Sequence, residues 1–295
     1  MQGLAQAGGR IIAVAVARDL FERERLGKMV SEVFMVTSIF TVFNPIIGGF
    51  IAQYLPWPTV FLAMAGYAGL CIVLCLMFQP ETVANKDPAA TRPIRIASNF
   101  LQIVRNAEFR RYAYCSGMAM AGFGAYLGGA SPVLNGVFKL EPIAFGAYYA
   151  AVTVSFFAGN WLSGRLVVRR GIDGTIAVGA SLMVVGGVTM VGLAIGDIWH
   201  PLAIVLPMGL YALGMASVIA QGSAGAVQPF GTMAGAASTL LGLIQFSMIA
   251  IAVTLVSTLT KDSPVPMTVT IAALGLGATG VYLFSIRPAG RSGAA

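Results

Sequence analysis

The chain carries very little charge for its length. Only 10% of its 295 residues are Asp, Glu, Lys or Arg, whereas a soluble domain has about a quarter. In contrast, 57% of the residues are hydrophobic and the mean hydropathy is +0.83. This composition excludes an ordinary soluble domain and indicates an integral membrane protein.

Histidine and cysteine are also scarce. The single histidine, His200, stands beside Trp199 and Pro201 with no serine or acidic partner near it. The three cysteines form no cluster with it that could hold zinc, so we interpret them as buried free thiols. We therefore expect no metal site and no enzymatic activity.

Acidic residues are missing from the apolar runs after residue 112. Glu141, Asp173, Asp197 and Asp262 all fall at the ends of these runs or in the loops between them. A proton-coupled carrier needs a titratable carboxylate in its pathway. If this protein is such a carrier, we expect that carboxylate to come from spans that precede this chain.

What the chain has in abundance is long apolar segments. A membrane-spanning helix needs roughly 20 mainly apolar residues, and nine segments meet that requirement. We therefore predict an all-α integral membrane protein with nine transmembrane helices. They cover about 1–17, 30–52, 58–79, 112–135, 143–164, 174–195, 201–222, 232–258 and 265–286.

Basic residues are concentrated in alternate connections. They crowd into residues 18–28, 86–111 and 165–170, and into the tail at Arg287 and Arg291. The positive-inside rule places basic loops in the cytoplasm. We therefore predict a multi-pass protein of the bacterial inner membrane with a cytoplasmic C-terminus, and we attribute the charge of +7 to topology rather than to nucleic-acid binding.

One connection is long and polar. The first part of residues 80–111 contains three prolines and predicts an extended linker. The second part predicts an amphipathic helix at the membrane surface, because its apolar residues recur at helical spacing. We thus expect three spans in residues 1–79 and six in residues 112–295. The apolar positions of the surface helix are Ile96, Phe100, Ile103 and Ala107.

A few polar side chains fall inside the predicted spans. Arg10 would cost roughly 2.5–3.5 kcal/mol to insert, so it either faces a substrate cavity or snorkels to the interface. Tyr126 and Gln245 lie nearest to mid-span and are our candidates for lining that cavity. The alternative is that they form hydrogen bonds between helices, worth about 0.6 kcal/mol each. The same alternatives apply to Asn135, Asn160, Tyr211 and Gln221.

The segment FTVFNPIIGGFIAQY contains three helix breakers inside a predicted span, namely Pro45, Gly48 and Gly49. Neighbouring helices can satisfy the backbone groups that such residues free within a bilayer. The glycines also leave a flat face on which another helix can pack closely. We expect this segment to serve as a gate between the two halves of a transporter.

The N-terminal motifs resemble a known family. MQGLAQAGGRIIAVAVARDLF and NPIIGG resemble spans four and five of the bicyclomycin/chloramphenicol-resistance (Bcr/CflA) drug:proton antiporters of the major facilitator superfamily. Gln2 and Gly3 match the end of an Arg-x-x-Gln-Gly motif, and an arginine near position 10 occurs in some members. NPIIGG matches Gly-Pro-x-x-Gly-Gly, with Asn44 replacing the first glycine.

The C-terminal half carries further parts of the resemblance. GFGAYLGGASPVLNGVF resembles the seventh span of the family and contains Tyr126, and GTMAGAASTLLGLIQF resembles the eleventh and contains Gln245. FGAYYAAVTVSFFAGNWLSGRLVVRRG resembles the eighth span and its basic loop. The loop motif residues are Gly164, Arg165, Arg170 and Gly171.

The resemblance implies a twelve-span helical bundle of which this chain corresponds to spans four to twelve. It implies export of hydrophobic or amphipathic drugs in exchange for protons, with the proton gradient as driving force, no cofactor, no nucleic-acid partner and no required oligomer. The family's acidic cavity residues lie in spans one to three. Two alternatives are a transport-incompetent remnant and an uptake carrier of the same superfamily.

Overall fold

The computed structural model describes residues 43–44, 47–56, 58–78, 93–198, 200–230, 233–259 and 263–284. Over these residues the chain is helical and contains no strand, which confirms the all-α prediction. The chain divides into two units, Met1–Ala90 and Thr91–Ala295.

In the first unit, residues 47–54 are helical and helix α1 covers Pro58–Phe78, as the third predicted span requires. No residue of α1 is buried. A helix that is apolar on all sides is suited to contact lipid or other apolar helices. Because α1 exposes its surface, Cys75 is exposed and Cys71 only half-buried, so the prediction of buried thiols is wrong for these two. Cys115 in the second unit is buried as expected.

The second unit contains helices at every span predicted after residue 112. These are α2 (Pro93–Arg105), α3 (Ala107–Ser131), a π-helical turn (Pro132–Val137), α4 (Pro142–Ile195), α5 (Pro201–Val227), α6 (Ala234–Leu259) and α7 (Val265–Phe284). Within the described part of the chain, five helices are long and apolar enough to cross a membrane, namely α1, α4, α5, α6 and α7.

Helix α4 is 54 residues long and has a break at Gly171, where φ is +69°. Glycine adopts this left-handed conformation readily because it has no Cβ. Along the limb before the break, Ser155 lies beside Gly209 of α5, and Ser163 accepts a hydrogen bond from Gln221 of α5. The residue numbers rise together, so this first limb runs parallel to α5.

The limb after the break runs the other way. Gly179 lies against Gly214 of α5, whereas Gly186, further along α4, lies against Pro207, which is earlier in α5. The second limb is therefore antiparallel to α5. The chain reverses at Gly171, and α4 supplies the two spans predicted at 143–164 and 174–195.

Helix α3 occupies the core of this unit and contacts α5, α6 and α7. It is not among the five most apolar helices, because glycines and tyrosines lower its hydropathy. These small residues suit its central position. Gly124 lies against the backbone of Ile249 in α6, and Gly128 against the backbone of Val253, so the two helices approach closely.

The predicted surface helix is present as α2, although it ends at Arg105. Asn106 ends it by capping α3, since its Oδ1 accepts hydrogen bonds from the backbone N–H groups of Glu108 (2.9 Å) and Phe109 (3.1 Å). Ile103 is fully buried and Phe100 packs against the core. Phe100 and Ile103 of α2 therefore face protein, whereas Ala107, predicted for the same face, is the first residue of α3 and is exposed.

Candidate functional site

Several of the residues predicted from sequence motifs lie outside the described residues. These are Gln2, Gly3, Arg10 and Pro45. In the same N-terminal segment, Gly49 is buried and Gly48 is half-buried, and a Cβ added to Gly48 would meet no atom within 4 Å.

Tyr126 lies in a cluster of four aromatic rings, which we call the aromatic cluster. Phe123 and Tyr126 belong to α3, and Phe145 and Tyr149 belong to the first limb of α4. The ring of Tyr126 stacks on Tyr149 at 5.8 Å and on Phe123 at 6.4 Å. The ring of Phe145 lies 6.1 Å from Tyr149. The other three rings are only partly buried, so the cluster presents aromatic faces at the surface of the unit.

The hydroxyl of Tyr126 is buried and has no hydrogen-bond partner among the described residues. A buried hydroxyl that remains unpaired costs roughly 1–3 kcal/mol. An unpaired buried group in a native structure calls for an explanation. One explanation is a bound ligand or water that accepts the hydrogen bond of the hydroxyl. Tyr126 therefore combines an aromatic surface with an unused polar group.

Tyr211 of α5 also has a buried hydroxyl without a partner among the described residues, but its surroundings differ. Its side chain packs against Gly122 of α3 and Gly275 of α7, and its backbone packs against Gly186 of α4. A Cβ at any of these three positions would press on Tyr211 or on the backbone beside it. Tyr211 is thus a central packing residue that forms no aromatic ring contact within the described part of the chain, which makes it a useful comparison for Tyr126.

Gln245 of α6 is 8% exposed and joins three helices. Its Nε2 donates a hydrogen bond to Ser116 of α3 at 3.1 Å and a longer one to Ser223 of α5 at 3.4 Å. Of the two alternatives that the sequence left open for Gln245, this geometry favours hydrogen bonding between helices. Gln221 behaves similarly, donating to Ser163 at 3.0 Å.

The loop motif lies where α4 reverses. Gly164 is exposed and helical, and Gly171 forms the break itself. Arg165 and Arg170 are both exposed, and the guanidinium of Arg165 lies 3.7 Å above the ring of Trp161. The motif therefore serves at least one structural purpose, which is to reverse the chain.

An ion pair that the sequence did not reveal also lies at this reversal. Nη2 of Arg111, near the start of α3, is 3.1 Å from Oδ1 of Asp173. The two residues are 62 positions apart, and each stands at the end of a predicted span. No local pattern indicates such a pair. Only their position on the same side of the membrane could have suggested it.

The described residues offer a limited chemistry. They contain no group of three or more His, Cys, Asp or Glu side chains that could hold a metal ion. Besides tyrosine hydroxyls, their buried polar side chains are Ser, Thr and Gln, with no buried carboxylate or ammonium group among them.

Comparison with known proteins gave a family model and several relatives. The model of the Major Facilitator Superfamily matches residues 1–253. A bicyclomycin resistance protein homolog from Haemophilus influenzae is 26% identical over 286 residues, which is 96% of this chain and 71% of that protein. The multidrug resistance protein D of Escherichia coli is 23% identical over 83% of the chain and 61% of that protein.

A chloramphenicol resistance protein of Pseudomonas aeruginosa is 22% identical over 94% of this chain and 66% of that protein. The chain therefore spans 71% of the Haemophilus protein and less than two thirds of the other two.

Proposed function

This chain belongs to the major facilitator superfamily, and from that premise we propose that it forms the greater part of a drug efflux transporter. It would export hydrophobic or amphipathic compounds by alternating access, in exchange for protons. Relatives with drug-resistance names align with most of the chain and support this proposal. We further propose that the protein lies in the bacterial inner membrane with its C-terminus in the cytoplasm.

The aromatic cluster carries the proposal. Partly exposed rings of Phe123, Phe145 and Tyr149 offer apolar faces, and Tyr126 adds an unpaired hydroxyl beside them. A pocket of mainly apolar and aromatic side chains with a few polar groups is typical of small-molecule sites. We propose that the drug packs on these rings and accepts the hydrogen bond of Tyr126.

An uptake carrier for an anionic metabolite is the competing function within the same superfamily. Such a carrier would need a cation at its binding surface. Apart from Arg111, which is paired with Asp173, every arginine and lysine whose side chain the structure describes in the second unit is exposed. This observation favours uncharged or apolar substrates. Arg10 remains a proposed cavity residue, outside the described part of the chain.

Proton coupling needs a carboxylate that changes its protonation state during transport. The described residues contain no buried Asp or Glu. We therefore propose that the coupling carboxylate lies outside the described residues, either in this chain or in spans that precede it in the complete transporter.

The test is efflux of a fluorescent aromatic dye from cells that express the protein, with and without an uncoupler. We expect less dye in expressing cells than in empty cells, and loss of this difference when the uncoupler is added. Equal accumulation in both would support a transport-incompetent remnant. Dye accumulation above that of empty cells would support an uptake carrier.

The matched variants are Tyr126→Phe and Tyr211→Phe, which each remove one unpaired buried hydroxyl. We expect Tyr126→Phe to raise the half-saturating dye concentration and Tyr211→Phe to leave it unchanged. If both variants export the dye as the parent does, the hydroxyl of Tyr126 does not contact the substrate.

A further inference from the structure

Asp173 is the meeting point of three structural elements at the end of the second unit where α4 reverses. Its Oδ1 accepts hydrogen bonds from Nη2 of Arg111 (3.1 Å) and from the hydroxyl of Tyr112 (3.0 Å), both near the start of α3. Its backbone oxygen accepts a hydrogen bond of 2.8 Å from the hydroxyl of Tyr282, near the end of α7. Asp173 thus joins the reversal of α4 to α3 and α7.

Arg111 is held on more than one side. Its guanidinium carbon lies 4.6 Å from the ring centre of Tyr282 and 5.2 Å from that of Tyr112. Its side chain is only 14% exposed, whereas that of Asp173 is 55% exposed. A largely buried guanidinium is costly unless a carboxylate balances it, so Asp173 is the partner on which the position of Arg111 depends.

Helix α5 completes this arrangement. The ring of Tyr112 packs against Gly225 near the end of α5, where a Cβ would come within 2.9 Å of the ring. The ends of α3, α5 and α7 and the reversal of α4 therefore share one set of contacts, which we call the reversal cluster. Its members are Arg111, Tyr112, Asp173, Gly225 and Tyr282.

Besides Asp173, apolar packing just beyond the break holds the reversal, since Ile172 packs against the core and Ile176 is fully buried. Gly171 adopts a conformation that breaks the helix, and the side chains of Arg169 and Arg170 are exposed, without an ion pair to any described residue. Val168 is 85% exposed. Asp173, two residues beyond the break, is where this segment accepts hydrogen bonds from side chains of α3 and α7.

We propose that Arg111 and Asp173 form a clamp that fixes the α4 reversal, with its loop motif, on the ends of α3 and α7. The clamp keeps the helix ends on this side of the unit fixed relative to one another. Transport by movement of rigid bundles about a central site requires such rigidity. Both residues are positioning residues and do not contact the substrate. The expected effect of the clamp on the transport rate rests on the proposed function, whereas its expected effect on the position of the α4 reversal does not.

The position of the loop can be measured in the full chain reconstituted in lipid. Spin labels at Val168→Cys and Leu101→Cys, in a chain whose native cysteines are replaced by alanine, report the distance between the reversal and α2. We expect a narrow distance distribution in this labelled parent. Arg111→Gln and Asp173→Asn should each broaden it, and Arg111→Lys should retain part of the narrow component because it keeps the charge.

Asp197→Asn is the matched control, since Asp197 is exposed and lies beyond the far end of the second limb of α4. It should leave the distribution unchanged. An unchanged distribution in Asp173→Asn would overturn the clamp. Broadening that occurs only together with a loss of the helical circular dichroism signal, which shows that the whole unit has unfolded, would also overturn the clamp.

Transport gives a second readout that a purely structural role would not produce. We expect Asp173→Asn to lower the maximal rate of dye efflux roughly twofold to thirtyfold, the range for residues coupled through a packed network, with an unchanged half-saturating concentration. A changed half-saturating concentration would instead indicate substrate contact and overturn the positioning role. If the parent chain moves no dye, the proposed function fails, and the spin-label distances alone decide whether the clamp exists.

Discussion

Gly179 on the second limb of α4 and Gly214 on α5 face each other, and each occupies the space where a side chain of the other would lie. A Cβ at Gly179 would come 2.6 Å from the backbone oxygen of Gly214, and a Cβ at Gly214 would press on the backbone oxygen of Gly179. The two helices therefore approach to backbone contact.

We expect Gly214→Ala to lower the stability of the protein in detergent by about 1–3 kcal/mol, the usual cost of overpacking a close contact. Gly192→Ala is the control on the same limb of α4, because a Cβ there would meet no atom within 4 Å. It should be neutral or slightly stabilising, since alanine is the better helix former. Thermal unfolding measures both, and equal unfolding temperatures would show that this contact is loose.

The reversal of α4 gives a second prediction. Gly171 has a φ of +69° and a ψ of −177°, where a residue with a Cβ is strained by about 1–3 kcal/mol. We expect Gly171→Ala to destabilise the protein by that amount, although no neighbouring atom obstructs the new methyl group. Gly164→Ala belongs to the same loop motif, but Gly164 is helical and unobstructed, so this control should not destabilise. Similar unfolding temperatures for the two variants would contradict the assigned backbone conformation.

A third prediction separates the two interpretations of Gln245. Gln245→Met keeps the shape of the side chain and removes the hydrogen bonds to Ser116 and Ser223, each worth about 0.6 kcal/mol in a membrane protein. Ser116 retains its bond to the backbone oxygen of Ala113. We expect a loss of about 1 kcal/mol in unfolding free energy and an unchanged half-saturating dye concentration. A raised half-saturating concentration at full stability would make Gln245 a cavity residue.

Much of the fold could be predicted from the sequence, because a helix in a bilayer must be long and apolar. The predicted limits of α1, α5, α6 and α7 agree with the structure to within a few residues, except that α5 continues to Val227. The end of α3 is different. We predicted a span to residue 135, whereas the α-helix ends at Ser131 and a π-helical turn follows from Pro132. Hydropathy does not distinguish these two kinds of helix.

The candidate site was only partly predictable. Tyr126 stood out because it is a polar residue near the middle of a span. Its neighbours Phe145 and Tyr149 did not, because aromatic residues are common in spans and their cluster depends on which faces of α3 and α4 meet. The pairing of Arg111 with Asp173 likewise depends on tertiary structure. Periodicity along one segment gives the faces of a helix but not the partner of each face.

The last prediction concerns the glycines that follow Pro45. We expect Gly49→Leu and Gly48→Leu to reduce dye efflux more than they reduce insertion into the membrane, because leucine is readily inserted but prevents close approach of another helix during transport. Gly49 is already buried, so its variant should be the more severe. Gly66→Leu on the exposed helix α1 is the matched control, since Gly66 lies outside the NPIIGG motif and, as at Gly48, a Cβ there meets no atom within 4 Å. Membrane insertion is measured as the amount of protein in the membrane fraction. Dye efflux is measured with each variant in the complete transporter and is divided by that amount. If Gly49→Leu exports dye as fast as Gly66→Leu, this segment does not act as a gate, and its glycines serve only the local structure of the helix.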